Sequence, residues 1–527
     1  MKRKIPMTRL IITTLIFSLA AILTTLVPTN AEAAPPQAGT EFKVIDDYVG
    51  HQLDDLRMPG AALGIVKDGE VVHLQTFGDA DDHGNAVTVE TPFKIGSLSK
   101  SFTALAVMQL VEAGKIQLDA PVQQYLPEFR VADLEASKRI TVRHLLNQVS
   151  GIPTSAGMDY MYRTDRADDA LEREVAKSSD VKLTYDPGTT WQYSNRNYTT
   201  LGLLIKVASG LSYEEYIQEH VLGPLAMKQS FTHLDEAKSH GLATGHQYWF
   251  GRPVPGGGLR ENRAITPTGL ITASIEDMSS WLIVNLNHGV YNGTRVLSAS
   301  GIDQLHAGVA PMTDKARYAM GWYETDIDGA PILTHNGDPG DFHSTMVISP
   351  STGWGVVLLM NGSNGQARLD IPAYGVMAQL LGVPTPDMPS SLTEIITQIS
   401  LALLVILAVQ IAAAGRSILL LRGWITSPSR RPRTRARKII RLGVPGLLNL
   451  LWAYVCVAVL PNVLMIPFEA LLFLDFGVLA LASLAIAVLW GVIIKPTLGI
   501  WVLQRSSGST RQQGASEPRV PIAAGVG

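Results

Sequence analysis

The chain has 527 residues, of which 46% are hydrophobic and 17% charged, and its formal net charge is −3 at pH 7. This length exceeds one ordinary domain, so we expect one sizeable domain plus further segments. Because the net charge is small and negative, the chain lacks the overall excess of basic residues that is typical of nucleic-acid-binding proteins. Cys456 is the only cysteine, so an internal disulfide is impossible and redox chemistry is not expected.

The first segment predicts export. A basic start precedes an apolar run from Leu10 to Val27, and Ala31 and Ala33 are placed as an A-x-A cleavage signal. We interpret residues 1–33 as a signal peptide, with an uncleaved anchor as the alternative. In either case the region that follows lies outside the cytoplasm.

Strand patterns at both ends of residues 34–382 enclose a region of helical patterns. The predicted elements are a helix from Phe42 to Leu56, a hairpin around Asp68-Gly69, helical patterns from about 97 to 310, strands at PILTH, STMVISP and WGVVLLMN, and a helix from about Pro372 to Leu381. This order predicts an α/β fold of the α+β type. An antiparallel sheet is covered by terminal helices, and a helical region is inserted in the middle.

The end of the chain has the composition of membrane spans. A Pro/Ser-rich linker is predicted over 383–394. Three apolar runs follow, each close to the roughly 20 residues that cross a bilayer core. They are approximately Ile395 to Ala414, Leu442 to Leu460 and Leu471 to Ile494.

The loop over 416–441 sets the predicted topology. It is rich in arginine and contains no acid, so the positive-inside rule places it in the cytoplasm. Three transmembrane helices within 395–495 then leave the domain outside and a tail over 496–527 inside. We interpret the basic run as a signal for the lipid bilayer rather than for nucleic acid.

Ser97 and Lys100 stand in the first turn of an otherwise apolar helix. Three residues apart, their side chains lie on one helix face within reach of each other. A serine hydroxyl needs a base, and a lysine can serve if burial lowers its pKa. The helix start also favours negative charge near Ser97. A second S-x-x-K match, Ser179 to Lys182, precedes no apolar helix and is interpreted as solvated loop.

Two further motifs follow along the chain. Tyr193–Asn195 is the only Y-x-N in the sequence, and the triplet His335–Gly337 ends a predicted strand. Taken singly, Tyr193 and Asn195 would be core or turn residues, and His335 a strand-end histidine. The chain has no H-E-x-x-H, no G-x-S-x-G, no phosphate loop and no Cys/His ligand set, so we expect neither a metal nor another cofactor.

These motifs, together with FKIGSLSKSFTA, YDPGTTWQYSNRNYTTLGLLI and PTGLITASIEDMSSWL, resemble the penicillin-recognising serine hydrolases of the class C β-lactamase and D-alanyl-D-alanine carboxypeptidase type. The likeness covers nearly all of residues 42–382. It implies a β-lactamase/transpeptidase-like fold in which Ser97 attacks a carbonyl and forms an acyl-enzyme. Lys100 and Tyr193 would be its partners, Tyr193 as a phenolate whose pKa the neighbouring ammonium lowers. Which of the two takes the proton stays open.

The resemblance also implies the binding groups. Asn195 would hold Lys100 and bind a substrate amide, and the backbone N–H groups of Ser97 and Asp338 would form the oxyanion hole. His335 and Gly337 would line the substrate site. Many members have a lysine where His335 stands, and a neutral imidazole attracts a carboxylate far less than that ammonium does. Asp338 is expected to place a carboxylate beside the hole and to repel anionic substrates.

The resulting hypothesis is a serine hydrolase of the bacterial cell membrane with an extracytoplasmic catalytic domain. Its substrate would be a small molecule or derived from peptidoglycan: a D-amino-acid peptide, a β-lactam or a small ester. The alternative is a catalytically weak sensor or scaffold that binds cell-wall fragments, because three spans exceed what tethering requires.

Overall fold

The computed structural model describes residues 41–158, 160–161, 163–256, 258–363, 369–386, 392–459 and 475–512. The predicted signal peptide and the end of the predicted tail, from 513, lie outside the described residues. The chain divides into a unit of residues 1–44 and a unit of residues 45–527. The sheet, the candidate site and the apolar helices belong to the second unit.

An eight-stranded antiparallel sheet organises the domain. Its strands are β1 (Gly60–Lys67), β2 (Glu70–Gly78), β3 (Ala310–Pro311), β4 (Arg317–Tyr318), β5 (Tyr323–Ile327), β6 (Ala330–Gly337), β7 (His343–Ser349) and β8 (Trp354–Met360). Their spatial order is β2-β1-β8-β7-β6-β5-β4-β3, with every neighbouring pair antiparallel. The pairing of β1 with β8 joins the two ends of the domain, so the predicted antiparallel sheet is confirmed.

The hairpin predicted around Asp68 and Gly69 joins β1 to β2. Both turn residues have positive φ, 50° and 86° respectively. A two-residue turn of type I′ requires positive φ at both central positions, which Asp-Gly supplies at low cost. Local sequence therefore determines this turn.

Helices cover the sheet and form the inserted region. They are α1 (Glu41–Leu56), α2 (Ser99–Glu112), α3 (Leu134–Arg139), α4 (Val142–Leu146), α5 (Ala170–Ala176), α6 (Asn195–Ser209), α7 (Tyr213–Ile217), α8 (Leu234–Ser239), α9 (Ile275–Leu286), α10 (Ala299–His306) and α11 (Ile371–Leu381). Helix α9 packs on β1 and β8, and α11 packs on β8. The closing helix α11 ends at Gly382, whose φ of 68° is left-handed, as the glycine predicted.

Short strands form smaller sheets outside the eight-stranded one. They are Phe93–Lys94 paired with Thr272–Ala273, the three-stranded set Gly362–Ser363, His246–Trp249 and Arg252–Pro255, and the pair Val290–Tyr291 and Thr294–Arg295.

Helix α2 is the central helix of the domain and positions the site. It is buried from Ser99 through Met108, which explains its almost wholly apolar sequence. Phe102 stacks on Trp281 with ring centroids 3.7 Å apart. Helix α6 packs directly against α2. This contact brings the start of α6, and with it the Y-x-N motif, to the start of α2.

Within the described residues, three C-terminal helices are long and apolar enough to cross a membrane: Gln398–Thr426, Arg435–Val459 and Gly477–Gln504. Leu460 and 471–474, at the ends of two predicted runs, lie outside the described residues. The described parts of the three apolar runs lie on helices that extend further than the runs. The first helix begins at Leu392, inside the predicted linker, and continues to Thr426. The predicted loop 416–441 is therefore largely helical, and only 427–434 separates the two helices. Arginine is a good helix former, and its long side chain can extend past an apolar surface to water, so a helix can continue through arginines. Hydropathy alone therefore underestimates the length of such a helix.

Polar side chains connect all three apolar helices. Trp452 donates from Nε1 to Ser483 Oγ at 2.7 Å, and Ser483 Oγ donates to Gln410 Oε1 at 2.8 Å. Trp490 donates from Nε1 to Ser417 Oγ at 2.8 Å. Such bonds hold helices together where apolar association gives little driving force. The three helices are therefore joined to one another by side-chain hydrogen bonds.

Candidate active site

Ser97 lies in the short turn Gly96–Leu98 that precedes α2 rather than in the first turn of the α-helix. Gly96 has φ 52°, and a Cβ added to it would lie 2.8 Å from the backbone nitrogen of Asp338. A larger residue would be both strained and too close to the strand end. Glycine at this position lets the Ser97 turn pack directly on the end of β6.

Lys100 is fully buried, and its Nζ has three polar neighbours. They are Ser97 Oγ at 3.0 Å, Asn195 Oδ1 at 2.8 Å and the carbonyl oxygen of Thr268 at 2.7 Å. Burial lowers the pKa of Lys100 well below its ordinary value of 10.5. If this burial leaves the amine neutral, its two N–H groups would donate to the oxygens of Asn195 and Thr268, and its lone pair would be left for the Ser97 hydroxyl.

Tyr193 reaches the same serine from the other side. Its hydroxyl donates to Ser97 Oγ at 2.8 Å, and its ring lies 4.8 Å from Lys100 Nζ. Burial raises the pKa of Tyr193 well above 10, and the hydrogen bond to Ser97 only partly opposes this. The expected lowering of the pKa of Tyr193 is therefore wrong. The residue is a phenol that donates, because burial disfavours the charged phenolate.

Asn195 is the first residue of α6, and the oxygen and the nitrogen of its side-chain amide have different partners. Its Oδ1 accepts from Lys100, while its Nδ2 lies 3.9 Å from the sulfur of Met158. A thioether is a weak acceptor, so the amide N–H groups keep donor capacity for a ligand. A Cβ added to Gly157 would lie 2.7 Å from the Asn195 backbone nitrogen, so the preceding loop packs tightly on the helix start.

Gly337 joins the end of β6 to the Ser97 turn. A Cβ added there would lie 2.1 Å from the carbonyl oxygen of Ile95 and 2.9 Å from the nitrogen of Ser97. Ser344 on β7 donates to the same Ile95 oxygen at 2.7 Å. The backbone N–H groups of Ser97 and Asp338 therefore belong to one closely packed junction.

The carboxylate of Asp338 is held in a network rather than left free beside this junction. Its two oxygens accept from the Gly340 N–H at 2.8 Å and from Ser363 Oγ at 2.7 Å. His343 Nδ1 lies 3.8 Å from Asp338 Oδ2, and His343 Nε2 lies 2.8 Å from Asp370 Oδ1. Burial opposes the charge of His343, but the two carboxylates outweigh it and raise its pKa to about 9. The carboxylate of Asp338 thus has partners of its own, and its expected repulsion of anionic substrates stays a prediction.

Sequence reasoning did not find His343 or Asp370. Asp370 also accepts from Thr345 Oγ1 at 2.7 Å and from Asn336 Nδ2 at 2.8 Å. Nothing in the sequence indicated that a residue before α11 would meet them.

His335 is buried, with 1% of its surface exposed. Its ring stacks on Tyr323 with centroids 4.5 Å apart, and Nδ1 lies 2.6 Å from the carbonyl oxygen of Asn336. Burial lowers the pKa of His335 to about 3, so the imidazole is neutral. Two residues before Gly337 on the same strand, it shares the face of β6 that meets the Ser97 turn.

The site thus assembles a serine between an amine and a phenol, with an amide on one side and a strand end on the other. Among the described residues, no group of three or more His, Cys, Asp or Glu side chains could hold a metal ion. An antiparallel sheet with an inserted helical region and this S-x-x-K, Y-x-N and H-x-G arrangement defines the penicillin-recognising class of serine hydrolase folds.

A family model described as Beta-lactamase matches residues 45–379. The chain belongs to the beta-lactamase family, a family of acyl-enzyme serine hydrolases, so the resemblance seen in the sequence is confirmed. The match ends before the three apolar helices begin.

Relatives and solved structures agree with this assignment. Penicillin-binding protein 4 of Amycolatopsis lactamdurans is 33% identical over 340 residues, covering 63% of this chain and 88% of that protein. Protein flp of Staphylococcus aureus (strain MW2) is 29% identical over 329 residues, covering 60% of this chain and 62% of that protein. The structure of the octameric penicillin-binding protein homologue from Pyrococcus abyssi is similar with TM-score 0.57 at 28% identity, covering 65% of this chain and 78% of that one.

Proposed function

We propose that the protein is a serine hydrolase in which Ser97 forms an acyl-enzyme and neutral Lys100 takes the serine proton. The observation that carries this proposal is the environment of Lys100: Nζ is buried and lies 2.8 Å from Asn195 Oδ1, 2.7 Å from the Thr268 carbonyl oxygen and 3.0 Å from Ser97 Oγ. A neutral amine that donates to the first two oxygens would turn its lone pair toward the serine. A general base placed in this way contributes about 10²- to 10⁴-fold to the rate.

Acylation follows from this placement. Ser97 Oγ bonds to the carbonyl carbon of an ester or amide while its proton passes to Lys100. The carbonyl oxygen becomes negative, and the backbone N–H groups of Ser97 and Asp338 would donate to it. The bond to the leaving group then breaks, and Tyr193 protonates that group. The proton held by Lys100 restores the phenol, so no net proton is gained or lost.

Deacylation uses the same groups, with water as the nucleophile and Ser97 Oγ as the leaving group. A water molecule attacks the acyl carbonyl and gives its proton to Lys100. Ser97 Oγ departs and recovers a proton, which releases the acid. Asn195 Nδ2, bonded only to a weak sulfur acceptor, is the proposed donor to a carbonyl of the bound substrate.

The proposed setting is a bacterial cell membrane. The three apolar helices would span the bilayer, with the basic residues of 416–441 on the cytoplasmic side among lipid headgroups and the catalytic domain outside. Candidate substrates are D-amino-acid peptides, β-lactams and small esters. The name penicillin-binding protein, carried by two of the similar proteins, supports the β-lactams among these candidates.

The competing proposal is a sensor or scaffold that binds wall fragments without turning them over. It is favoured by the hydrogen bonds that join the three apolar helices, which a simple tether does not need. Against it stands the buried Lys100, because a binding pocket gains nothing from a neutral amine aimed at a hydroxyl.

Labelling of the full chain in detergent separates the two proposals. The enzyme should be labelled by a fluorescent fluorophosphonate and by a fluorescent penicillin, and Ser97→Ala should lose both labels. Ser179→Ala is the matched control, since it removes the serine of the other S-x-x-K sequence and should label normally. Binding of the penicillin without covalent labelling in the wild-type protein would favour the sensor.

A further inference from the structure

We propose, on the basis of the hydrolase function above, that Lys94 and Asp341 are positioning residues for the oxyanion hole. Their ion pair fixes the placement of the two backbone N–H groups, those of Ser97 and Asp338, that would donate to the negative carbonyl oxygen. Lys94 stands three residues before Ser97, and Asp341 stands three residues after Asp338. The pair therefore closes a short ring that runs from one donor to the other.

The ammonium group of Lys94 holds two segments of the chain at once. Nζ donates to Asp341 Oδ2 at 2.8 Å and to the carbonyl oxygen of Leu259 at 3.2 Å. Leu259 in turn donates from its backbone nitrogen to the carbonyl oxygen of Pro339 at 3.0 Å. The loop that follows Asp338 is thus held at Pro339 and at Asp341, and both contacts lead to Lys94.

Burial makes the loop dependent on this ion pair. The side chains of Lys94 and Asp341 are 10% and 6% exposed. Oδ1 of Asp341 has no hydrogen-bond partner among the described residues, so the carboxylate is held through Oδ2. Both residues line a cavity of about 420 Å³, so close packing does not hold the loop on this side. Removing one partner would leave the other charge buried and unpaired, which favours a displaced loop.

The backbone around Lys94 is anchored, so loss of the pair should act on the loop rather than on the serine. Lys94 belongs to a short strand that pairs with Thr272–Ala273. The Asp338 nitrogen lies so close to the Ser97 turn that a Cβ added to Gly96 would be 2.8 Å from it. A released loop would reorient the Asp338 N–H while the Ser97 N–H stays in place. A misplacement of about 1 Å can cost about 10²-fold in rate.

An ester whose carbonyl oxygen is replaced by sulfur tests the oxyanion hole directly, because sulfur is a weak hydrogen-bond acceptor. The assay compares kcat/KM of the full chain in detergent for p-nitrophenyl acetate and for the corresponding thionoester. We expect Lys94→Met to lower kcat/KM for the oxygen ester about 10- to 100-fold, up to the effect of losing one donor. The thionoester should lose much less, so the oxygen-to-sulfur ratio should fall at least about 5-fold. A variant that merely contains less folded protein would lose both rates equally and keep the ratio.

Two further variants assign the effect to the pair. The double variant Lys94→Met/Asp341→Asn leaves no unpaired charge, so it replaces the single variant if that one does not fold, and it should show the same lowered ratio. Lys138→Met, which removes an exposed ion pair with Glu135, is the matched control and should keep the wild-type ratio. A wild-type ratio in the folded Lys94 variants would overturn the inference. Ester hydrolysis that is absent from the wild-type protein, or that persists in Ser97→Ala, would instead overturn the proposed hydrolase function.

Discussion

The charge of His343 should make a measurable contribution to stability. Its side chain is 2% exposed and lies between Asp338 and Asp370. The folded pKa of about 9 exceeds the ordinary 6.5, so the folded state holds the proton more tightly. This stabilisation is fully present below pH 6.5 and is lost as pH rises through 9. The difference between the two pKa values corresponds to about 3 kcal/mol.

The assay is urea unfolding of the full chain in detergent, followed by tryptophan fluorescence at pH 6 and pH 10. Other groups also titrate over this range, so the informative quantity is the difference between wild type and His343→Gln. Glutamine can still donate to Asp370 but carries no charge. We expect the wild-type advantage in unfolding free energy to fall by about 3 kcal/mol from pH 6 to pH 10. His51→Gln, at an exposed position on α1, is the control. An advantage that is equal at both pH values would refute the reasoning.

Further predictions concern the nucleophile, the strand end and the apolar helices. Lys100→Met keeps the length of the side chain without the amine and should slow labelling by about 10²- to 10⁴-fold; unchanged labelling would exclude the base role. Tyr193→Phe should slow amide cleavage more than cleavage of p-nitrophenyl esters, whose leaving group needs no proton; equal losses in kcat/KM would contradict the proton-donor role. Gly337→Ala should reduce acylation about 10²-fold or more by displacing the strand end, whereas Gly50→Ala, whose Cβ meets only a ring atom at 3.9 Å, should acylate normally. Ser483→Ala breaks two hydrogen bonds between the apolar helices and should lower their thermal stability in detergent by about 1 kcal/mol; an unchanged melting temperature would count against the observed contacts.

Short-range patterns predicted much of the architecture. The Asp-Gly hairpin, the glycine that ends α11 and the apolar runs of the C-terminal helices each depend on neighbours within a few residues, and periodicity or turn chemistry is enough to find them. The extension of the first apolar helix through its arginines to Thr426 was missed, because a hydropathy window ends where charge begins even when helical hydrogen bonding continues.

In the candidate site, too, features set by neighbouring residues could be predicted, and features set by distant residues could not. The three-residue spacing of Ser97 and Lys100 brings them together at the start of α2, so this contact could be predicted from local sequence. Local sequence could not determine the protonation of the amine, which depends on complete burial and on the distant oxygens of Asn195 and Thr268. Desolvation is a property of the assembled core, since it requires side chains from many parts of the chain to exclude water.

Tertiary structure also decided the roles of the two histidines near the strand end. In sequence, His335 and His343 are equivalent imidazoles eight positions apart. In the fold, one is stacked on Tyr323 and kept neutral by burial, and the other is kept charged by two carboxylates, one of which precedes α11. The sequence determined which ionisable groups are present, and the tertiary structure determined their charges, because the pKa of each group is set by solvent exclusion and by neighbours that are distant along the chain.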